Sequence, residues 1–318
     1  MTMAGEAELI VDRRRLRRRL VFWRIVGCLA VIIALLALVL GSSGFEGFKK
    51  HQDHIARLRV TGMITGDQPT LDLLKELRDS ETAKALIIRL DTPGGTTAGS
   101  EALYEAIREI AKTRPVVAVM DTIAASGGYI TAIAADHIVA RGNTITGSIG
   151  VIFQWAEVSK LMDTLGVRID EIKSGDLKAE PSPFKPIPEK ARDVSNAMVQ
   201  DAFRWFTGLV AERRRLPMER VLVLSDGRVY TGRQALTEKL VDDIGGEEKA
   251  VDWLVKDKKI ASDLEIVDWR VPSDSSSTGL GFSAVKLVLR ALGLGSFAGQ
   301  ASGVELDGLL ALWHPALQ

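Results

Sequence analysis

Cysteine and histidine are the scarcest chemically versatile residues in this chain of 318 amino acids. The one cysteine, Cys28, lies inside an apolar run, so a disulfide within the chain is excluded and no thiol chemistry is expected beyond that run. Of the four histidines, His51 and His54 are neighbours but are too few to hold zinc. The sequence therefore predicts no metal site and no cofactor.

Net charge is also absent, because 41 basic residues balance 41 acidic ones. Residues 1–24 contain seven arginines and three acidic residues, which leaves 34 basic and 38 acidic residues in the remainder. That remainder offers no basic surface of the kind that binds nucleic acid, so nucleic acid is not a predicted partner. No repeat of fixed period is visible, which argues against a solenoid.

The arginines at the N-terminus lead directly into the longest apolar run, residues 25–40. With the residues just before it, this run reaches the length of about 20 residues that a helix needs to cross a bilayer. We therefore predict a cytoplasmic basic terminus over residues 1–19 and a single transmembrane anchor over residues 20–41. The rest of the chain is predicted to lie on the outer side of the cytoplasmic membrane. A cleavable signal peptide is the alternative, since small residues follow at 41–44.

Beyond a linker over residues 42–54, short apolar runs alternate with amphipathic segments up to residue 272. Such alternation predicts an α/β domain over residues 55–272, with a mostly parallel sheet and crossover helices. The predicted strands include residues 55–64, 85–90, 115–120, 143–153 and 167–172, and the predicted helices include residues 71–79, 99–112 and 189–213. Residues 273–318 are predicted to form a linker, an apolar helix and a C-terminal tail.

The stretch "AASGGYI" places Ser126 in front of Gly127 and Gly128 at the start of a predicted helix. A serine at this position can expose its hydroxyl beside the free N–H groups of the helix, which suits a nucleophile whose reaction forms an oxyanion. The alternative is a serine that only caps the helix. The residues alone leave both interpretations open.

A serine nucleophile needs a base, and no histidine is well placed to serve, since His137 leads straight into a predicted buried strand. A lysine can replace histidine when burial lowers its pKa. The segment "KSGDLK" offers Lys173 and Lys178, although a solvated loop is the alternative interpretation. Gly94 and Gly95, which follow another buried strand, can supply an oxyanion donor or simply a tight turn.

Five motifs, "LDTPGG", "AASGGYI", "TITGSIGVI", "KSGDLK" and "DGRVYTGRQAL", occur in the order typical of the short bacterial form of signal peptide peptidase A. Over residues 55–253 the sequence resembles this family of serine proteases, which belongs to the Clp-protease and crotonase superfamily. The resemblance implies a Clp-protease/crotonase-like fold and a Ser/Lys dyad, with Ser126 as nucleophile and Lys178 as general base.

The same resemblance implies further site residues. Ser148, in "TGSIG", matches the serine that orients the lysine, and the backbone amides of Gly95 and Gly127 match the oxyanion hole. Thr96 stands where the family often has a third glycine, and we expect it to narrow the pocket entrance.

Location, substrates and partners are also implied by the resemblance. The chain is expected to be a membrane-anchored serine endopeptidase on the outer side of the cytoplasmic membrane, in contact with its lipid. Its expected substrates are cleaved signal peptides and other apolar peptides. It is expected to form a homo-oligomer, an octameric ring, in which neighbouring protomers complete each dyad. The tail over residues 308–318 is expected to enter the groove as a self-ligand.

Two alternatives come from other functional classes. A crotonase-type acyl-CoA enzyme would share the fold, but it predicts no export anchor and a carboxylate near the site. A membrane scaffold would keep the ring and lack a working dyad. The presence of both Ser126 and Lys178 disfavours the scaffold.

Overall fold

The computed structural model describes residues 19, 21–27, 29, 50–271 and 310–312. The chain divides into two units, Met1–Asp53 and His54–Gln318. In the first unit the described residues up to residue 29 are helical. Most of the predicted anchor lies outside the described residues, and no helix among those described is long and apolar enough to cross a membrane.

The second unit alternates strands and helices. In chain order its described elements are β1 (His54–Ile64), α1 (Gln68–Asp79), β2 (Ala83–Thr96), α2 (Thr97–Ala111), β3 (Val116–Ala125), α3 (Gly127–Ile133), β4 (His137–Ala140), β5 (Ile145–Gly147), α4 (Ser159–Leu165), α5 (Glu189–Arg214), α6 (Met218–Leu224), β6 (Val229–Thr231), α7 (Gly232–Thr237), β7 (Asp243–Ile244), α8 (Glu247–Lys256), β8 (Glu265–Trp269) and β9 (Leu310–Leu312).

These strands form one sheet in which the order β6-β5-β3-β2-β1-β8 runs from edge to edge. Strands β8, β1, β2 and β3 are parallel neighbours in that order. On its other edge β3 pairs in parallel with β4 along its first half and with β5 at its C-terminal end. Among the described strands, β9 on β2 and β6 on β5 are the two pairs that run antiparallel. The predicted α/β class with a mostly parallel sheet is therefore confirmed.

Both faces of the central strands are covered, which explains the continuous apolar run in β2. Leu86, Ile88 and Leu90 belong to the core packed against α1, α2 and α3. Ala85 and Ile87 point to the other face and pack in a second cluster with α8. Because successive residues of a strand alternate between faces, a strand that is buried on both sides must be apolar at every position.

The sheet differs from the sequence prediction at two places. The predicted strand over residues 167–172 is wrong, since these residues are irregular and Val167, Ile169 and Ile172 are exposed. No strand in the described part of the chain lies beside them, and an unpaired strand has nothing to hold it. In the predicted strand over 143–153, regular pairing is confined to β5.

Candidate active site

Ser126 occupies the junction between β3 and α3 in a strained backbone conformation. Its φ of 55° and ψ of −114° lie outside the regions that side-chain-bearing residues favour. The residue is 1% exposed, and its N–H donates to the Gly147 carbonyl at 2.8 Å. Its side chain makes no capping hydrogen bond to the helix, so the interpretation of Ser126 as an ordinary cap is wrong.

Close packing explains why a glycine, Gly128, lies two residues after Ser126. A Cβ atom on Gly128 would lie 2.8 Å from Thr92 Cγ2 and 3.0 Å from the Thr92 carbonyl oxygen. The start of α3 is therefore pressed against the end of β2. This contact brings the helix N-terminus, with the free N–H groups of its first turn, next to the glycine pair of β2.

Gly95 lies in β2 opposite Ile64 of β1. A Cβ atom here would overlap the Ile64 carbonyl oxygen. The "PGG" segment is thus part of the sheet rather than the turn that one interpretation of the sequence offered, and it runs past the end of β3 towards α2.

Strand pairing places Ser148 beside Ser126. In the parallel pair of β3 and β5, Ala125 lies level with Gly147, and each is followed by one of the two serines. Ser148 also has a positive φ, of 48°, is 8% exposed, and donates its N–H to the Arg228 carbonyl at 2.8 Å. The structure therefore brings Ser126, Gly127 and Ser148 together at one end of the sheet.

Lys178 lies on an exposed turn far along the chain from these residues. Its N–H donates to the Gly175 carbonyl at 3.0 Å, and the following residue, Ala179, has a φ of 60°. Within residues 50–271 its side chain has no hydrogen bond or ion pair, and therefore none with Ser126 or Ser148. The dyad implied by the resemblance is not closed by a hydrogen bond in the described chain.

Lys173, the other lysine of "KSGDLK", is in a different environment. Its ammonium lies 2.8 Å from a carboxylate oxygen of Glu171 and 2.8 Å from one of Glu180. The amine of Lys173 is thus engaged by two carboxylates and is not free to approach another group. The structure thus distinguishes two lysines that the sequence left equivalent.

The segment that carries both lysines exposes an unusual number of apolar side chains. Leu161 and Leu165 of α4 are 58% and 66% exposed, and Ile172 is fully exposed. Val167, Ile169, Leu177 and Phe184 are exposed as well. A concentration of apolar surface on one irregular segment is typical of a contact surface.

Strand β9 extends the sheet next to Ser126. Leu312, Ala311 and Leu310 lie opposite Gly94, Gly95 and Thr96 in an antiparallel register. This short strand also contacts α2 and α3, the helix that follows Ser126. The edge of β2 beyond the end of β3 can therefore accept an extended segment, here one from the C-terminal tail.

Two of the three described histidines, His54 and His137, are engaged in structural contacts, and the third, His51, is exposed. His54 is buried, stacks on Trp269 and accepts a hydrogen bond from its indole N–H at 3.0 Å. His137 stacks on Trp253 and lies 3.0 Å from a carboxylate oxygen of Asp243. The fourth histidine, at position 314, lies outside the described residues. Among the residues that were described, no group of three or more His, Cys, Asp or Glu could hold a metal ion.

A strained, buried serine at a strand–helix junction is typical of α/β hydrolytic enzymes. Residues 108–261 match the family model of peptidase family S49. A candidate protease of Synechocystis sp. is 38% identical over 201 residues, which cover 63% of this chain and 72% of that protein. The chain belongs to peptidase family S49, and membership of this family implies a serine protease.

Other relatives carry more specific names. A candidate signal peptide peptidase SppA of Enterococcus faecium is 34% identical over 68% of this chain and 67% of its own length. The chloroplastic serine protease SPPA of Arabidopsis thaliana is 35% identical, and this chain spans only 32% of it. A ClpP1 mutant from Listeria monocytogenes covers 60% of this chain with 17% identity and a TM-score of 0.41, and it matches over 91% of its own length. That structural likeness is too distant to carry an argument.

The packing of Gly95 leads to a prediction for Gly95→Ala. The added methyl group must displace the backbone of β1, so we expect a loss of about 1–3 kcal/mol or more in the free energy of unfolding and a loss of peptidase activity. Gly208→Ala is the matched control, because a Cβ atom there meets nothing within 4 Å. In a helix interior that change should be neutral or stabilising by up to about 1 kcal/mol. Thermal unfolding of both variants checks the pair, and equal midpoints would contradict the prediction.

Proposed function

We propose that this chain is a membrane-anchored serine endopeptidase in which Ser126 is the nucleophile and Lys178 the general base. The observation that carries the proposal is the strained backbone of Ser126, which holds a buried serine without a capping bond beside Ser148. Strain of this kind persists where surrounding structure enforces it, and it is concentrated at active sites. Family membership and the name of the E. faecium relative support the same conclusion.

In the proposed reaction the Ser126 hydroxyl oxygen attacks the substrate carbonyl carbon while its proton passes to the Lys178 amine. The backbone amides of Gly95 and Gly127 donate hydrogen bonds to the oxyanion that forms. The resulting ammonium then protonates the leaving amine as the C–N bond breaks, which leaves an acyl-enzyme. A water molecule, giving its proton to the same amine, then attacks the ester carbonyl; as the C–O bond to Ser126 breaks, the ammonium returns a proton to the serine oxygen and the second product leaves as a carboxylic acid. Ser148 orients the lysine in this scheme.

Lys178 is a better choice of base than Lys173. A general base must be free to approach the nucleophile, whereas the amine of Lys173 is paired with the carboxylates of Glu171 and Glu180 at 2.8 Å each. Lys178 has no such partner among residues 50–271, so burial by a substrate or a neighbouring protomer could remove its proton. Its loop has the exposed position that such burial requires.

The proposed substrates are cleaved signal peptides and other apolar peptides on the outer side of the cytoplasmic membrane. The position of β9 supports apolar peptides as substrates, because its three small or aliphatic residues, Leu310–Leu312, pair with the glycine-containing end of β2. Main-chain pairing gives affinity for any extended segment, and alternate side chains give specificity. The proposal also includes an anchor over residues 20–41, a Clp-protease/crotonase-like fold and assembly into a ring. Its two alternatives are a crotonase-type acyl-CoA enzyme and a scaffold without catalytic activity.

Replacing the two dyad residues tests the chemistry. Ser126→Ala and Lys178→Met should each reduce cleavage of a fluorogenic apolar peptide by about 10³-fold or more, since the nucleophile and the base act as a unit. Lys173→Met is the matched control and should retain more activity than Lys178→Met by at least tenfold. An equal loss of activity in both lysine variants would contradict the assignment of Lys178 as the base. Full activity of Lys178→Met would rule out the Ser/Lys dyad. A scaffold predicts no cleavage by the unmodified chain.

The position of β9 leads to a prediction for the tail. If the tail occupies the substrate edge, deletion of residues 308–318 should raise kcat/KM several-fold, because the intramolecular competitor is gone. Ala311→Pro should act in the same direction without shortening the chain, since proline removes an N–H donor. Steady-state kinetics that are unchanged in both variants would count against a self-ligand.

The proposed sharing of the dyad between protomers leads to a complementation experiment. Ser126→Ala and Lys178→Met chains are each inactive, but co-expressed in one membrane they should regain activity at about a quarter of the sites, provided that neighbours exchange the two residues. Co-expression of two Ser126→Ala chains with different tags is the control and should stay inactive. Failure of the mixed particles to cleave peptide, with mixing shown by co-purification, would rule out dyads between chains.

A further inference from the structure

Four charged residues that flank the turn of Lys178 in the sequence form ion pairs with one another. Lys173 bridges Glu171 and Glu180 at 2.8 Å each, and Lys185 bridges the same two carboxylates at 3.0 Å and 2.6 Å. We call these four residues the charge quartet. It joins a residue before the turn, Glu171, to a residue beyond it, Lys185, so it closes the base of the loop.

Glu180 is the most enclosed member of the charge quartet. Its side chain is 2% exposed, whereas that of Lys185 is 40% exposed. One carboxylate oxygen receives the two ammonium groups, and the other accepts the Ser182 N–H at 3.2 Å. Hydrogen bonds from Lys173 and then Lys185 lower the pKa of Glu180 to about 2. The two ammonium groups therefore favour the ionised form of this carboxyl group.

Lys178 is separated from Glu180 by one residue, Ala179. The turn between them is tight, since Lys178 N–H donates to Gly175 and Glu180 N–H donates to the Leu177 carbonyl at 3.3 Å. Ala179, in the middle, has a φ of 60°, a conformation that a residue with a side chain adopts only when its neighbours enforce it. The ion pairs of the Glu180 side chain therefore hold one end of the turn that contains Lys178.

We propose that Glu180 is a positioning residue for Lys178, and that the charge quartet holds the turn without adding net charge beside the base. The inference rests on the proposed function, in which that amine takes the proton. Two lysines and two glutamates cancel, whereas a lone carboxylate would favour the ammonium form and oppose its action as a base. The loop also carries Asp176. No charged group of another element forms an ion pair with the charge quartet or with Lys178 in the described residues.

Two variants change the net charge of the quartet in opposite directions. Glu180→Gln leaves one carboxylate with two ammonium groups, so the acid limb of the kcat–pH profile should move to lower pH by about half a unit. Lys185→Met leaves two carboxylates with one ammonium group, and the same limb should move to higher pH. Lys160→Met, a change on α4 outside the charge quartet, is the control and should leave the limb in place.

The positioning role is read from the rate itself. Glu180→Gln should lower kcat by about 10–100-fold, since misplacing a reacting group by an ångström costs that much. KM should stay within about twofold, because the proposed substrate edge lies on β2. In the double variant Glu180→Gln/Lys185→Met the quartet is neutral again, so the acid limb should return to its original pH while kcat stays low.

The measurements use full-length chains and the fluorogenic apolar peptide, and each outcome supports or overturns the role of Glu180. Unchanged kcat in Glu180→Gln would overturn the positioning role, and so would a low kcat with no opposite movement of the acid limb in the two single variants. Full activity of Lys178→Met would instead overturn the dyad, which is a separate failure. Should circular dichroism show that Glu180→Gln is unfolded, Lys185→Met decides instead, because it keeps the pair of Lys173 and Glu180: its acid limb should move to higher pH and its kcat should fall, and a limb and kcat that both stay unchanged would overturn the proposal.

Discussion

The parallel pairing of β3 with β5 is the constraint on which the candidate site depends. It holds Ala125 level with Gly147, so that the next residue of each strand is a serine. Both Ser126 and Ser148 have positive φ, which costs a residue with a side chain about 1 kcal/mol or more. The strain is offset locally, since Ser126 N–H donates to Gly147 and Ser148 N–H donates to Arg228. Sheet pairing therefore places two serines that are far apart in the sequence at the same end of the sheet.

Much of the fold could be predicted because its core repeats simple patterns. The run over residues 85–90 is apolar at every position, which identifies a strand buried on both faces, and α1 is amphipathic with a helical period. The run over 167–172 looks similar but has no neighbouring strand, so its apolar residues remain exposed. Periodicity reports what a segment could bury, whereas pairing decides whether it does.

The site was less accessible to sequence reasoning than the fold. The residues of "SGG" allowed either a cap or a nucleophile, and only the backbone angles of Ser126 distinguish them. The relation of Ser126 to Ser148 came from resemblance, because nothing local in either motif indicates the other. Lys173 and Lys178 could be distinguished only from the structure, in which Lys173 has two ion pairs and Lys178 has none within residues 50–271. The role inferred for Glu180 was missed altogether, since its partners are spread along an irregular loop without any period.

The two halves of the proposed dyad lie in contrasting environments, and this contrast links assembly to chemistry. Ser126 is buried and fixed by the sheet, whereas Lys178 projects from an exposed segment that also presents Leu161, Leu165 and Ile172. Covering those apolar side chains would be favourable in itself, and the same contact would remove water from around the lysine. Water removal is what a lysine needs in order to act as a base. In the proposed ring, a partner surface that covers this segment would therefore also activate the site, and an isolated chain would be inactive.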